Sequence, residues 1–138
     1  MNRLEYIVCA KTQYDIQSPF VYDLYENVLL PKLDRAALTK LGLNRRDKFG
    51  QLRYKIADHY GATAAENSTA LRGADTVLAT GEGLIGLVCR PHRNKESEQE
   101  WQKLFKEPDV TLSVDLFDAG LVFTSKRLSR QHFVFRIF

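Results

Sequence analysis

The chain has 138 residues, with 20 Lys plus Arg against 17 Asp plus Glu and a formal net charge of +3. Hydrophobic residues make up 44% of it, which at this length is enough to bury a core without disulfides or metals, so a disordered chain is excluded. No run approaches the roughly 20 apolar residues that span a bilayer, and we expect no membrane segment. These properties favour one domain over residues 1–138.

The cysteine content points away from disulfide and zinc proteins. Cys9 and Cys89 are the two cysteines, and they lie far apart in the chain. Two are too few for a disulfide scaffold and lack the paired spacing of a zinc site. No secretory signal segment precedes them. We therefore expect reduced thiols, a cytoplasmic protein and no bound metal.

The basic residues form no extended stripe. The densest clusters are short and are interrupted by neutral or acidic residues: Arg45, Arg46 and Lys48, then Lys126, Arg127 and Arg130. A nucleic-acid-binding protein typically combines a basic stripe that neutralises many phosphates with stacking aromatic residues. The pattern favours solvated surface charge, and nucleic acid is not an expected partner. Weak binding of nucleic acid through the two clusters is the alternative.

The first sixty residues have helical patterns. Apolar residues in Leu4–Lys11 follow helical spacing. Ser18 and Pro19 form a helix start, because the serine oxygen can accept free amides and proline tolerates the first turn. Apolar residues in Val21–Leu29 then line one helix face, and Pro31 ends it.

Two more helices are predicted before the chain changes character. Leu33–Leu41 predicts a short helix that ends at the following glycine. A further start at Asn44 leads into Phe49–Tyr60, whose apolar residues share one stripe, and Gly61 ends this helix. Residues 1–61 therefore form a helical part.

The second half is richer in strands. Residues 62–74 have neither stripe nor alternation, and we interpret them as a loop or weak helix. Thr76–Ala79 and Leu84–Cys89 are short apolar runs typical of buried strands. A helix begins at Asn94, has acidic residues in its first turn, and ends before Pro108.

The last thirty residues predict three strands. Val110–Leu116 alternates apolar and polar residues, which indicates a half-buried strand. Phe117–Gly120 turns the chain into Leu121–Thr124. The apolar segment His132–Phe138 predicts a final strand that is either central in the sheet or part of a subunit contact. The fold class is thus α/β, with N-terminal helices followed by a small mixed sheet over residues 74–138 that has one crossover helix and antiparallel C-terminal strands.

A glycine-rich string follows the first predicted strand. Gly81–Gly86 matches the spacing of a dinucleotide-binding fingerprint. That fingerprint requires its last glycines to open a helix, whereas Leu87–Pro91 has the pattern of a strand. The glycines therefore predict a hairpin or tight loop.

Four residues are candidate ligand contacts. Cys89, Arg90 and His92 lie at the end of a predicted strand, where open α/β sheets often place functional groups. A thiol, a guanidinium and an imidazole there could bind an anion or activate the cysteine. The favoured interpretation is that Cys89 is a small apolar residue and that Arg90 and His92 belong to a surface loop. Asp115 is expected to be solvated or bound to a loop rather than to act as a general base.

The other two histidines do not extend this set. His59 is placed to interact with the carboxyl end of its helix, and His132 flanks a strand. The three histidines have no ligand spacing, such as a pair four residues apart on a helix. The sequence therefore assigns no catalytic residue and no metal ligand.

Several segments resemble one protein family. They are QSPFVYDL at Gln17–Leu24, Trp101, VTLSVDLF at Val110–Phe117, GLVF at Gly120–Phe123 and QHF at Gln131–Phe133. These are similar to the two ends of a bacterial group of class I S-adenosylmethionine-dependent methyltransferase-like proteins. In that group a helical segment precedes a Rossmann-like domain, and a pair of strands closes its sheet.

The centre of the chain departs from the family pattern. The glycine-rich cofactor loop, the acidic residue for the ribose and the D-G-x-H strand end have no counterparts between Tyr60 and Asp75. Of an aspartate pair followed by isoleucine and histidine, only His92 remains. The resemblance thus implies a truncated Rossmann-like methyltransferase remnant without a cofactor and without catalytic residues.

A remnant of this kind has bare strand edges, which its helices or a second copy must cover. We expect a homodimer that acts, if at all, through contact with an unknown protein partner. The alternative is a small enzyme or ligand-binding protein with a reduced site near Cys89, Arg90 and His92.

Overall fold

The computed structural model describes residues 19–65, 70–125, 128 and 130–135 of the chain. Within them the protein is mixed α/β, with four α-helices and one six-stranded mixed sheet. The predicted helix over residues 4–11, Cys9, Ser18, the cationic residues Lys126 and Arg127, and residues 136–138 lie outside the described residues.

Among the described residues, helices α1 to α3 precede the sheet. Helix α1 covers Pro19–Leu24 and continues as a π-helical segment over Tyr25–Leu29. Helix α2 covers Arg35–Leu41 and α3 covers Lys48–Tyr60. The fourth helix, α4, covers Lys95–Phe105 and lies between strands of the second half.

The sheet contains six short strands. Their bounds are Thr63–Ala64 for β1, Thr76–Thr80 for β2, Gly83–Cys89 for β3, Leu112–Asp115 for β4, Ala119–Phe123 for β5 and Gln131–Val134 for β6.

The helix ends follow from local chemistry. Gly42 (φ 69°) and Gly61 (φ 62°) adopt the left-handed conformation after α2 and α3, as the sequence predicts. The predicted start of α3 at Asn44 is wrong. The Asn44 side chain instead accepts the Arg46 N–H at 2.8 Å in the preceding turn, and Asp47 caps α3.

The order of the strands is β1-β2-β3-β5-β4-β6. All neighbouring strands are antiparallel except β4 and β6, which are parallel. Strands β3 and β4 both run antiparallel to β5, so they are parallel to each other. Helix α4 connects them and confirms the predicted single crossover.

The glycine-rich string forms a hairpin, as predicted. Strands β2 and β3 pair with Thr80 opposite Gly83, and the Thr80 hydroxyl accepts the Glu82 N–H at 3.1 Å. Gly83 has φ 151° and lies so close to Thr124 that a Cβ there would be 2.8 Å from its hydroxyl oxygen. The last glycines therefore serve strand packing and do not open a helix.

Two other strand predictions need correction. Residues 62–74 are not only loop, because β1 pairs with β2 at one edge of the sheet. The prediction that Val110–Leu116 forms a half-buried strand is wrong, because all four residues of β4 are buried. Alternation places its polar side chains on one face, but helix α4 covers that face.

The final strand also differs from its prediction. Strand β6 is parallel to β4, whereas the sequence predicts antiparallel C-terminal strands, and it forms an edge of the described sheet instead of a central position. The reason is the path of the chain. Strand β5 ends beside Leu112, at the start of β4, and the chain then passes that start and runs along the other side of β4. The alternative prediction, a subunit contact, stays a prediction.

Helices cover both faces of the sheet. The larger cluster of buried apolar residues joins α1, the π-helical segment and α3 to one face. The smaller cluster joins α4 to the other face and contains Trp101, Leu104, Val88 and Val122. The sheet is therefore the middle layer of three.

Trp101 packs against Gly120 at the centre of the smaller cluster. Its side chain is 2% exposed, and a Cβ added at Gly120 would lie 2.6 Å from two carbons of the indole ring. Glycine at this position allows the helix to approach β5 closely.

We predict that Gly120→Ala lowers the free energy of unfolding by about 1–3 kcal/mol, the usual cost of overpacking a core. Urea unfolding followed by circular dichroism measures the change. Gly81→Ala is the matched control, because a Cβ at Gly81 meets no atom within 4 Å. Equal stability of the two variants would contradict the packing argument.

Candidate functional site

Polar side chains meet at the carboxyl ends of β3 and β4. His92 follows β3 by three residues, and Asp115 is the last residue of β4. Because the two strands are parallel, their carboxyl ends lie at the same edge of the sheet, where open α/β sheets often place functional groups. The structure thus brings together two of the four predicted candidates.

The His92 imidazole lies between two carboxylates. Its Nε2 is 2.5 Å from Asp115 Oδ2, and its Nδ1 is 3.1 Å from Glu98 Oε1 in the first turn of α4. Ionised carboxylates accept hydrogen bonds but cannot donate them, so both ring nitrogens must carry protons. The geometry therefore fits a positively charged imidazolium.

These contacts raise the pKa of His92 above its usual 6.5. Burial alone acts in the opposite direction, but the hydrogen bonds and negative charges of Asp115 and Glu98 together outweigh it. The ring also stacks on Phe117, with 5.3 Å between the ring centroids. Charge and stacking both hold the imidazole in place.

The pair is closed to solvent. The side chain of His92 is 6% exposed and that of Asp115 is 3% exposed. The prediction that His92 is a surface loop residue is therefore wrong, and so is the prediction that Asp115 is solvated. In both cases α4 and the β4–β5 turn cover polar groups that the sequence alone would leave in water. Asp115 is bound to its loop as expected, since its Oδ1 accepts the Phe117 N–H at 2.9 Å.

The other two candidates lie apart from this pair. Arg90 is exposed, as the favoured interpretation predicts. Cys89 is a free, half-buried thiol whose backbone N–H donates to Asp75 Oδ2 at 2.7 Å. Among the described residues, no hydrogen bond joins its side chain to Arg90 or His92. The geometry gives no partner that would activate the thiol.

Backbone strain borders the pair on both sides. Arg90 has φ 46° and Phe117 has φ 68°, a conformation that side chains with a Cβ rarely adopt. The Arg90 N–H donates to the Asp118 carbonyl at 3.0 Å and joins the two strained turns. Strain of this kind persists only where surrounding contacts maintain it.

A second histidine lies further along the same face. His132 Nδ1 is 2.6 Å from the Ser113 hydroxyl, and its ring stacks on Phe105 with centroids 4.3 Å apart. Partial burial against these rings lowers the pKa of His132, while Asp115 opposes this effect and the charge of His92 adds to it. His132 lies within β6 instead of flanking a strand.

Sequence reasoning missed three members of this set: Glu98, Phe117 and Ser113. Glu98 lies in the acidic first turn after Asn94, which the sequence shows. The helix dipole alone explains acidic residues there, so this pattern did not indicate a contact with His92. Ser113 and Asp115 are two residues apart on one strand, which places them on one face. Nothing in the sequence indicates that Phe117 adopts a left-handed conformation.

A separate cleft of about 530 Å³ lies at the opposite end of β3. Its walls include the β2–β3 hairpin, Phe20, Tyr60 and the pair His59 and Asp23, whose side chains are 2.8 Å apart. His59 is in the last turn of α3, as predicted. Neither His92 nor Asp115 lines this cleft, so the buried pair and the cleft are independent features.

The His92 contacts predict how stability depends on pH. A histidine whose pKa is raised on folding stabilises the protein fully below its unfolded pKa, about 6.5, and this contribution is lost as the pH rises through the folded pKa. We predict that the free energy of unfolding decreases as the pH rises above about 6.5, and that His92→Gln flattens this decrease. Urea unfolding at fixed ionic strength measures it.

His132→Gln is the matched control for this experiment. The pKa of His132 is lowered, so its effect on stability falls below pH 6.5 and has the opposite sign. The control should therefore keep the alkaline decrease. An unchanged decrease in His92→Gln would show that another group is responsible.

Comparisons with known proteins found no match. The chain matches no protein-family model, no curated protein and no solved structure. In the described part of the chain, no helix is long and apolar enough to cross a membrane. The described residues also contain no group of three or more His, Cys, Asp or Glu side chains placed to hold a metal ion. The function proposed below therefore depends on the chain's own geometry.

Proposed function

We propose that this chain is a non-catalytic remnant of an S-adenosylmethionine-dependent methyltransferase-like protein and that it acts through contact with another protein, a second copy of itself included. The observation that carries the proposal is the closed pair of His92 and Asp115. This pair occupies the sheet edge where an enzyme of this architecture would present reactive groups to a substrate.

The contacts of the pair are those of a structural ion pair. Each nitrogen of His92 is already bound, Phe117 covers the ring, and the two side chains are almost completely buried. A general acid or base must come within hydrogen-bond distance of the substrate, and these atoms leave no room for one. His92 instead connects the end of β3 to β4 through Asp115 and to α4 through Glu98, by hydrogen bonds between opposite charges.

The positions of the resembling segments also support the proposal. Val110–Phe117 contains β4 and Gly120–Phe123 makes up four of the five residues of β5; the two strands are neighbours, and the resemblance implies such a pair. Pro19–Leu24 is a helix that precedes the sheet, as the family pattern requires. Between α3 and β2 the chain has only the fifteen residues 61–75, where the family would have its cofactor loop and further strands.

The proposal includes a cytoplasmic location and no cofactor. Reduced cysteines support the location, and Cys89 is a free thiol. The lack of a cofactor is supported by Gly81–Gly86, which forms a strand hairpin and does not open a helix. The alternative, a ligand site at Cys89, Arg90 and His92, has weaker support because the thiol and the imidazole do not contact each other.

We predict that S-adenosylmethionine and S-adenosylhomocysteine release no binding heat when titrated to millimolar concentration into the purified protein. Isothermal titration calorimetry measures this directly. Saturable one-to-one binding at micromolar affinity would overturn the non-catalytic assignment. In that case Gly83→Ala, which disturbs the hairpin, would show whether Gly81–Gly86 forms the site.

Self-association through the β6 edge is the most specific form of the proposed contact. The Gln131 N–H donates to the carbonyl of Thr111, just before β4, and the Phe135 N–H donates to that of Asp115, both at 2.9 Å. By the alternation of a strand, the N–H of Val134 therefore points away from β4. A backbone N–H that points outward from an edge strand is a template for another strand. Phe133 and Phe135 stack on each other, 5.6 Å apart, beside this edge.

We predict a homodimer at micromolar concentration, and a shift to monomer in Val134→Pro, because proline removes the outward N–H but leaves the bonds to β4. Size-exclusion chromatography with light scattering measures both masses. Circular dichroism verifies that the variant is folded, and Val134→Lys provides a second way to block the edge. A wild-type monomer at high micromolar concentration would contradict dimerisation through this edge.

A further inference from the structure

A second cleft lies on the other face of the sheet from α4. It has a volume of about 330 Å³ and opens between the end of the π-helical segment, the start of α3 and the β4–β5 turn. All of its lining residues belong to three continuous stretches: Leu29, Leu30 and Lys32; Lys48, Phe49, Gln51, Leu52 and Lys55; Leu116, Asp118 and Ala119.

The floor of this cleft is apolar. Leu29, Leu52, Leu116 and Ala119 are buried residues whose side chains border the cavity, and Phe49 is half-buried beside them. Removing apolar surface from water stabilises a bound ligand by about 25 cal/mol per Å². The floor therefore suits a hydrocarbon chain, and the side-chain nitrogen of Gln51, which also lines the cleft, already donates to the carbonyl oxygens of Asn44 and Arg45.

Three lysines stand around the same cleft. Lys48 and Lys55 are seven residues apart on α3, two helical turns, and Leu52 lies between them on the same side of the helix. Lys32 approaches from the loop after the π-helical segment. In the described part of the chain, no carboxylate lies within 4.0 Å of the amino group of any of the three, so their charges are not neutralised by ion pairs.

The position of Lys55 is fixed by one contact. Its Nζ donates to the Pro31 carbonyl oxygen at 2.9 Å, which uses one of its three protons and leaves two for a ligand. Burial lowers the pKa of Lys55, and the nearby charge of Lys48 lowers it further. An anion between the two ammonium groups would favour the charged form of Lys55 and so counteract both causes of its lowered pKa. Lys48 also begins α3, where the helix dipole favours negative charge.

We infer that this cleft is a binding site for a small amphipathic carboxylate, with its hydrocarbon chain on the floor formed by Leu52, Leu116 and Ala119 and its carboxylate between Lys48 and Lys55. The volume is at the small end of ligand pockets, about 300–1,000 Å³, which favours a single medium-length chain over a nucleotide or a folded partner. Exposed Asp118 on the opposite rim turns the negative end toward the lysines.

This site is separate from the proposed function. It shares no residue with the β6 edge or with His92 and Asp115, and it requires neither descent from a methyltransferase nor dimerisation. Failure of either proposal would leave the other unaffected.

The experiment is a titration of the full chain with decanoate below its critical micelle concentration, measured by isothermal titration calorimetry at pH 7. We expect one site with a Kd on the order of 100 μM, since a ligand of this size gains a fraction of a kcal/mol per non-hydrogen atom. Decanol and decyltrimethylammonium have the same chain without the negative charge, and both should bind at least tenfold more weakly.

Variants locate the site. Lys48→Met with Lys55→Met keeps most of the unbranched length of both side chains but removes both charges, and we expect it to weaken decanoate binding at least tenfold. Lys40→Met is the matched control, because Lys40 is an exposed lysine on α2 that does not line the cleft. It should bind decanoate like the wild type.

Competitive acetylation gives an independent measurement. Bound decanoate should slow the modification of Lys48 and Lys55 by acetic anhydride and leave that of Lys40 unchanged, as read by peptide mass spectrometry. The inference is overturned by the absence of binding at millimolar decanoate, by equal affinity for the neutral or cationic analogue, or by unchanged affinity in the double lysine variant.

Discussion

The contact between His92 and Asp115 connects the parts of the molecule that the chain itself leaves far apart. An imidazolium between two carboxylates joins the end of β3, the end of β4 and the first turn of α4. The charges lie in a place with almost no water, where an unpaired charge costs several kcal/mol. Each partner is therefore acceptable only because the other is present, and the geometry of the surrounding turns depends on both.

The two turns beside the pair have strained backbone conformations. Arg90 and Phe117 adopt left-handed backbone conformations immediately beside the charged pair, and one hydrogen bond from Arg90 to Asp118 joins the turns to each other. The stacked ring of Phe117 excludes water from the imidazole. The same arrangement that stabilises the pair also covers its polar atoms, because both nitrogens of His92 are hydrogen-bonded and Phe117 stacks on the ring.

Much of the secondary structure was predictable because its signals are local. Asn94 predicts the start of α4, Gly61 predicts the end of α3, and the glycines after Thr80 predict a hairpin, each through the backbone geometry of a few residues. The burial of Asp115 and the parallel direction of β6 depend instead on which element packs over a strand and on the path of a long connection. An alternating strand has a polar face in any sequence, and only the position of α4 decides that this face is buried. The grouping of His92 with Asp115 and the cleft beside α3 also depend on contacts between elements that are far apart in the sequence. Neither could therefore be predicted from local patterns.

The π-helical segment Tyr25–Leu29 has a consequence for how this protein can change in evolution. It contains one residue more per turn than an α-helix needs, since the Leu30 N–H donates to the carbonyl of Tyr25. Deletion of one residue here would leave a regular helix, so the fold would tolerate it. The residues after the deletion would keep the faces that they now present, because the wider π-helical turn already absorbs the extra residue, whereas a deletion in a regular α-helix would rotate them by about 100°. Leu29 and Leu30 would then still border their cleft, and descendants of this chain could lose the extra residue in a single step without losing that cavity.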